Sequence, residues 1–125
     1  MSESRPVRLQ LSRRKGFDLQ ASSHRRNGLG AVNVARPSGY GNPFIVGEFP
    51  ALAYSRYTTS RVETADEAVS LYRRLCIENF AKYDDCVDRL LKLRGKNLAC
   101  WCKPGAACHA DVLLEFANAP ICEAV

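Results

Sequence analysis

The chain has 125 residues, 46% of them hydrophobic, so it can bury one core but is too short for two independently stable domains. No apolar run approaches the ~20 residues of a membrane span, and the N-terminus lacks the apolar segment of a signal peptide. We therefore expect a cytoplasmic single-domain protein without a membrane partner. Its six cysteines are then expected to be buried, metal-bound or reactive rather than disulfide-bonded.

The net charge of +5 is concentrated near the N-terminus. Residues 1–36 hold eight basic and two acidic residues, whereas the remainder holds ten basic and eleven acidic residues. A basic segment of this kind is typical of a solvated surface or of a surface that contacts phosphates. Nucleic acid is therefore one candidate partner, although no aromatic-rich RNA-binding signature accompanies the charge.

The first half of the chain predicts short strands. Apolar and polar residues alternate over 7–11 and again over 31–36, which indicates two half-buried strands. The polar stretch 22–30 between them predicts a surface loop. Pro37 opens the turn-forming segment "RPSGYGNPF", and "FIVGEF" (44–49) predicts a third short strand.

The second half predicts helices. Thr64 and Glu67 have the spacing of a capping box, and the apolar stripe that follows predicts a helix to about Phe80. A shorter helix is expected over 84–95, with Gly95 as its stop.

A fourth strand over 96–102 and a closing helix over 109–119 complete the predicted fold. This order predicts an α/β fold, a small open sheet of about four strands with three helices in Rossmann-like layering. Ligands in such sheets bind beyond the carboxyl ends of the strands, where "CWCKPGAACH" (100–109) would lie.

This stretch has the composition of a metal site. Cys100 and Cys102 point to one face of an extended strand, and the following loop is long enough to bring Cys108 back to them. Three thiolates with His109 match the ligands of structural zinc. The spacing is not that of paired C-x2–4-C knuckles, however, and adjacent residues such as Cys108 and His109 seldom face one ion.

A second interpretation places Cys108 at the N-cap or first turn of the last helix, where the helix dipole favours a thiolate. Cys108 would then be a nucleophile or contact an anionic ligand, with His109 as acid or base, Asp111 orienting His109, and Cys102 beside the ligand. A third interpretation treats the same residues as compact packing groups, as expected for the remaining cysteines, Cys76, Cys86 and Cys122.

The segment "RPSGYGNPF" is the other candidate site element. Glycines such as Gly41 let a ligand approach the backbone closely, Asn42 offers an amide for a base or sugar, and Arg36 and Ser38 offer further donors. The alternative is a tight turn that locks two strands.

Four segments, "LSRRKGFDL", "VARPSGYGNPF", "TADEAVSLYRRL" and "LRGKNLACWCKPGAACHADVLLEFAN", occur here in the order seen in an uncharacterised family of bacteria and their phages, domain of unknown function 4326. The chain closely resembles this family over residues 7–118, which leaves tails at 1–6 and 119–125. It departs from the family by Phe17, where tryptophan is usual, and by a longer polar stretch at 22–30. The family motifs fall on Arg36, Gly41, Asn42, Pro43, Phe44, Cys100, Trp101, Cys102, Pro104, Cys108, His109 and Asp111.

The resemblance implies no activity. The Cys-His start of the last helix is also similar to that of another uncharacterised family, whose members have Cys-His-Arg there, and this analogy favours an open α/β sheet with a ligand site. The first hypothesis is a domain that binds, and in an enzyme would process, a nucleotide-like or other anionic small ligand. The second is a zinc-stabilised module for nucleic acid or protein. A third, implied by the family's occurrence in phages, is an inhibitor that sequesters a host protein or signalling nucleotide.

Overall fold

The computed structural model describes residues 5–36 and 38–119. Most of the two predicted tails, Pro37 and Cys122 lie outside the described residues. The described part contains three strands and four helices, with a single 3-10 turn at Leu52–Tyr54. In chain order they are β1 (Arg8–Gln10), α1 (Leu19–Asn27), β2 (Ala31–Asn33), α2 (Ala65–Lys82), α3 (Asp84–Leu91), β3 (Asn97–Cys100) and α4 (His109–Asn118).

The strands form a parallel sheet in the order β1-β3-β2, with β3 in the centre. Leu98 of β3 is level with Arg8 on one side and Val32 on the other. Because all three strands run in one direction, their carboxyl ends meet at the same edge of the sheet. The predicted α/β class is confirmed, with three strands and four helices rather than four and three.

Both faces of β3 are covered, and all four of its residues are buried. The side chain of Asn97 lies on the face covered by α1, where it donates to Ser23 (2.7 Å) and to Asn27 (2.8 Å). Leu98 and Cys100 lie on the other face and belong to the core cluster that includes residues of α4. Helices therefore cover the sheet on two sides, as in a layered α/β fold.

The predicted capping box at the start of α2 is confirmed. The Thr64 side chain accepts from the Glu67 N–H (3.1 Å), and the Glu67 carboxylate accepts from the N–H of Glu63 (2.7 Å). The helix continues two residues beyond the predicted end, to Lys82, and packs against α3 and α4. Among the described residues, no helix combines the length and apolar character that a membrane crossing requires.

The predicted surface loop at 22–30 is wrong, because α1 occupies most of it. Asp18 caps the helix by accepting from the Ala21 N–H (3.0 Å), and Gly28 ends it in the left-handed region (φ 82°). The buried residue of this helix is Ser23, which donates to the carbonyl of Leu29. A helix whose buried face is polar shows no apolar periodicity in the sequence. The cap residues Asp18 and Gly28 were the features from which α1 could have been predicted.

The predicted strand at 44–49 is also wrong, because the segment turns. The Glu48 N–H donates to the carbonyl of Ile45 (3.1 Å), and Gly47 adopts a positive φ of 90°. The Gly47 N–H donates to the carbonyl of Val62 (2.7 Å), and the Val62 N–H donates to the carbonyl of Glu48 (3.0 Å). The apolar run therefore lies outside the three-stranded sheet, and Val46 and Phe49 are exposed.

Candidate functional site

The predicted site residues lie at the carboxyl edge of the sheet. Cys100 is the last residue of β3, and residues 34–36 follow β2 at the same edge. The N–H of Val34 still donates to the carbonyl of Ala99 (2.9 Å), so the chain leaves β2 close to β3. In open parallel sheets, ligand sites form at this edge.

Cys100, Cys102 and Cys108 form a group that we call the thiol cluster. Their three sulfur atoms lie within 4.8 Å of one another, and those of Cys100 and Cys108 are 3.0 Å apart. Cys100 and Cys108 are 1% and 2% exposed, whereas Cys102 is half-buried. The predicted convergence of three thiols is confirmed, and such a group could hold a metal ion.

Arg8 of β1 fixes the loop that joins Cys102 to Cys108. Its guanidinium donates to the carbonyls of Lys103 (3.1 Å) and Ala106 (2.8 Å) and to the carboxylate of Asp111 (3.0 Å). The Arg8 side chain is only 12% exposed, whereas the Asp111 side chain is 56% exposed, so the guanidinium is held in place while its partners remain open to solvent. One side chain thus ties the loop to the sheet and to the first turn of α4.

His109 is held by a backbone carbonyl of the neighbouring strand segment. Its Nε2 lies 2.7 Å from the oxygen of Val34, and because a carbonyl oxygen only accepts, Nε2 carries a hydrogen. The sequence predicts that Asp111 orients His109, but the Asp111 carboxylate pairs with Arg8, and Val34 orients the ring instead.

The other ring nitrogen of His109 faces Cys108, with Nδ1 3.8 Å from Sγ. Cys108 is the N-cap of α4 and is extended (φ −153°, ψ 142°), whereas His109 is the first helical residue. This change of backbone direction is what lets adjacent side chains face each other. The Nε2–H bond to Val34 leaves Nδ1 as the ring atom that faces the Cys108 sulfur.

The surroundings of Cys108 favour its ionised form. Hydrogen bonding from the Cys100 thiol is the main cause that lowers the pKa of Cys108, with further contributions from His109, Cys102 and the N–H of Ala110. Conversely, the pKa of Cys100 is raised by its hydrogen bond to Cys108 and by burial, and that of Cys102 chiefly by burial. Within the cluster, Cys108 is therefore the sulfur whose ionisation is favoured, with its two neighbours as hydrogen-bonding thiols.

A cleft of about 570 Å3, here called the thiol cleft, opens beside the cluster. It brings the thiol cluster and the "GNPF" turn together, since both contribute to its wall. Two arginines contribute, and none of the described residues that line it is acidic. The lining residues are Arg13, Ala35, Arg36, Asn42, Phe44, Ile45, Val46, Ala65, Ala68, Val69, Cys100, Trp101, Cys102, Ala107, Cys108 and His109.

Arg36 and Asn42 line the thiol cleft but also hold the turn together. The Arg36 guanidinium donates to the carbonyls of Asn42 and Phe44. The buried Asn42 amide donates to the carbonyl of Ala68 (3.0 Å), and its oxygen accepts from the Phe44 N–H (2.9 Å). These contacts favour the turn-locking interpretation of Asn42, whose part in the cleft is to shape the wall.

Gly41 and Ser38 are not brought to the thiol cluster. Ser38 accepts from the N–H of Tyr40 (3.3 Å) within the turn. Gly41 lines a separate cavity of about 190 Å3, here called the helical cavity, together with Cys76 and Cys86. A Cβ on Gly41 would lie 2.7 Å from Cγ of Arg36, so the glycine is needed for close packing rather than for a ligand.

Sequence reasoning missed Arg8, Arg13 and the position of Trp101. Trp101 is the single tryptophan of the chain, 43% exposed, and the Arg13 guanidinium lies 4.5 Å from its ring centroid. Arg8 and Arg13 belong to a basic segment without a motif of their own. The placement of a tryptophan between two clustered cysteines was the available signal for an exposed aromatic wall.

The fold and site define a small α/β protein with a thiol cluster at the carboxyl edge of a parallel sheet. The chain belongs to the family described as domain of unknown function (DUF4326), whose model matches residues 18–119. The match includes the thiol cluster and the "GNPF" turn and leaves β1, with Arg8, outside it. Comparisons with curated proteins and with solved structures found no match.

Proposed function

We propose that the thiol cleft binds an anionic, nucleotide-like small ligand in contact with Cys108 and His109. The observation that carries the proposal is the shared wall of the thiol cluster and the "GNPF" turn around about 570 Å3. This volume falls within the ~300–1,000 Å3 of typical small-molecule sites.

The charge of the wall favours an anion. Arg13 and Arg36 line the thiol cleft, and its described lining contains no carboxylate to compensate them. The ten-residue helix α4 begins at the same place, and the positive end of its dipole favours negative charge. A phosphate or carboxylate group is the complementary ligand chemistry.

The apolar part of the wall favours a ligand that also carries a flat ring. Trp101 is 43% exposed, with the Arg13 guanidinium over its ring, so a base would stack on Trp101 next to Arg13 or in its place. Ile45 and Val46 line the cleft and are partly exposed, while Phe44 is buried behind them. A base stacked on an aromatic side chain and an anionic group near arginine together describe a nucleotide.

The thiol cluster gives the site a reactive group. The lowered pKa of Cys108 makes it the nucleophile of any chemical step, and Nδ1 of His109 is the nearby proton acceptor. A reducing compartment keeps such thiols reduced, so the proposal places the protein in the cytoplasm.

Trp101 permits a direct binding test, because the emission of the single tryptophan reports on the cleft alone. We expect a nucleoside monophosphate to quench it with a Kd below about 1 mM, and Arg13→Gln to weaken binding about tenfold. Arg61→Gln is the control, because Arg61 stacks on Phe49 (5.2 Å) outside the described lining. Unchanged emission with every common nucleoside monophosphate, and native mass spectrometry without a co-purified ligand, would overturn the proposal.

A zinc-stabilised binding module is the second candidate, favoured by the fit of the donor atoms. Sulfurs bound to one tetrahedral zinc at ~2.3 Å lie ~3.8 Å apart, so the Cys100 and Cys108 sulfurs (3.0 Å) would move slightly apart and more distant sulfurs (within 4.8 Å) slightly together. Nδ1 of His109, 3.8 Å from the Cys108 sulfur, is the nearest candidate for a fourth donor. In a zinc site, the hydrogen bond from Nε2–H to the Val34 carbonyl would orient the imidazole that binds the metal through Nδ1. The facing of Cys108 and His109 supports His109 as a ligand next to Cys108, although among the described residues the three sulfurs alone form the group within 4.8 Å.

Metal analysis distinguishes the two candidates. If zinc is bound, purified protein contains about one zinc per chain, and Cys102→Ser loses both the metal and the folded state. If the cleft is a ligand site without metal, the protein is metal-free and Cys102→Ser changes the free energy of unfolding by less than about 1 kcal/mol, because Cys102 is only half-buried. Cys86→Ser serves as the control for a half-buried cysteine outside the cluster.

A further inference from the structure

A second cleft, here called the basic cleft, lies where the chain turns from β1 into α1. It has a volume of about 530 Å3, and three cations, Arg14, Lys15 and Arg25, line it. The single carboxylate in the wall, that of Asp18, already accepts from the Ala21 N–H as the cap of α1. The remaining lining residues are Ser12, Gly16, Phe17 and Ala21.

The wall of the basic cleft is a defined turn rather than a run of extended charged residues. The Phe17 N–H donates to the carbonyl of Arg14 (3.1 Å), and the Arg14 N–H donates to the Ser12 hydroxyl (3.0 Å). Gly16 has a positive φ of 86°, which the turn requires and which other residues rarely adopt. The backbone that carries Arg14 and Lys15 is thereby fixed.

The same turn joins the basic cleft to the thiol cleft. Arg13 lines the thiol cleft, and its chain neighbours Ser12 and Arg14 line the basic cleft. Consecutive residues are about 3.8 Å apart at Cα, so the two clefts are separated by the chain segment 12–14, whose neighbouring side chains point into different clefts and around which a longer ligand would pass. A ligand longer than one nucleotide could occupy both.

We propose that the two clefts together bind single-stranded nucleic acid. One base stacks at Trp101 in the thiol cleft, and the backbone phosphates pass Arg13 and enter the basic cleft among Arg14, Lys15 and Arg25. Cationic grooves with aromatic faces are the usual means of holding a single strand, and Phe17 supplies a second ring. This inference rests on the proposed function, because the nucleotide in the thiol cleft is one unit of the strand.

The test measures how affinity depends on strand length. Emission of Trp101 in the full chain is titrated with thymidylate and uridylate oligomers of one, two, four and eight residues. We expect the four-residue oligomer to bind on the order of 100-fold more tightly than the monomer at low salt. The Arg14→Gln, Lys15→Gln double variant should lower the slope of log K against log salt by about 1.4, roughly 0.7 for each lost phosphate contact.

The matched control removes the same number of positive charges from a different part of the surface. Lys92→Gln, Lys96→Gln removes two exposed cations, and Lys96 precedes β3 at the amino edge of the sheet, so the slope should not change. Equal affinity for all lengths, or an unchanged slope in the Arg14, Lys15 variant, overturns this inference and leaves the proposed function standing if the monomer binds. Failure of monomers and oligomers alike overturns both.

Discussion

The pKa values of two buried cysteines in different regions of this protein are shifted in opposite directions. Cys76 of α2 is 6% exposed and Cys108 at the start of α4 is 2% exposed. Burial is the main cause that raises the pKa of Cys76 to about 11. The pKa of Cys108 is lowered despite burial, chiefly by its hydrogen bond with Cys100 and further by His109, Cys102 and the N–H of Ala110. The number of donors around a buried sulfur therefore decides whether it ionises.

The two regions also differ in what surrounds them. Cys76 of α2 packs in the hydrophobic core together with Tyr72 and lines the helical cavity. Cys108 lies where a strand end, a fixed loop and a helix N-terminus meet. The difference in pKa thus follows position in the fold: several hydrogen bonds at the edge of the parallel sheet lower the pKa of Cys108, whereas the hydrogen bond with Tyr72 lowers the pKa of Cys76 less than burial raises it.

The largest expected difference between the regions is in alkylation rate. At pH 7, after treatment with a chelator, we expect iodoacetamide to modify Cys108 on the order of 100-fold faster than Cys76, because thiolate is the reacting form. Peptide mass spectrometry of timed samples measures both rates in one experiment. In denaturant the two rates should converge. Modification of Cys108 that occurs only in denaturant would show that the sheet edge does not activate it.

Removing the Arg8 contacts should weaken the sheet-edge region selectively. We expect Arg8→Met to lower the free energy of unfolding by about 2 kcal/mol, because it removes three hydrogen bonds of a largely buried guanidinium whose exposed acceptors water can then reach. The same change should bring the alkylation rate of Cys108 closer to that of Cys76. Denaturant unfolding and the alkylation assay provide the two measurements.

Arg73→Met is the matched control for Arg8. Arg73 pairs with Glu115 (2.7 Å), but its side chain is 41% exposed, so we expect a loss below about 1 kcal/mol. Equal losses in the two variants would mean that the Arg8 contacts contribute no more than an ordinary surface ion pair.

The sequence predicted the thiol cluster better than it predicted helix α1, whose buried residue is polar. Alternation and caps located β1, β2, β3 and α2, and the spacing of Cys100, Cys102 and Cys108 indicated their convergence. Helix α1 was missed because its buried contact is the Ser23 hydroxyl, and polar burial leaves no apolar stripe.

Long-range partners were the other part that sequence could not supply. Arg8 is 98 residues from Ala106 and 103 residues from Asp111 along the chain, and His109 is 75 residues from Val34. Only the order of strands in the sheet brings these groups together. The "FIVGEF" segment has strand composition, yet the turn at Gly47 and its pairing with Val62 keep it out of the sheet.

A substitution in the turn that lines both cavities should test whether the two regions are coupled. Gly41→Ala places a Cβ 2.7 Å from Cγ and 3.1 Å from Cα of Arg36, so the backbone must shift. We expect a loss of about 2 kcal/mol in the free energy of unfolding and a changed Trp101 emission, since Arg36 also lines the thiol cleft. Gly30→Ala is the control, because its Cβ would meet only Gln20 at 3.7 Å. An effect no larger than that of Gly30→Ala would show that the turn accommodates the methyl group.

The smallest expected effect concerns the pH dependence that Cys76 contributes. Its folded pKa of about 11 lies above the ordinary value of 9.0, so as pH rises past 9 the unfolded chain loses this proton first. The contribution of Cys76 to stability is therefore complete below pH 9 and is lost as pH rises to about 11. The gap in unfolding free energy between wild type and Cys76→Ala should narrow by less than about 1 kcal/mol per pH unit over this range. Urea unfolding at pH 8, 9, 10 and 11 gives that gap directly, and parallel curves for the two proteins would mean that Cys76 ionises in the folded chain as easily as in the unfolded one.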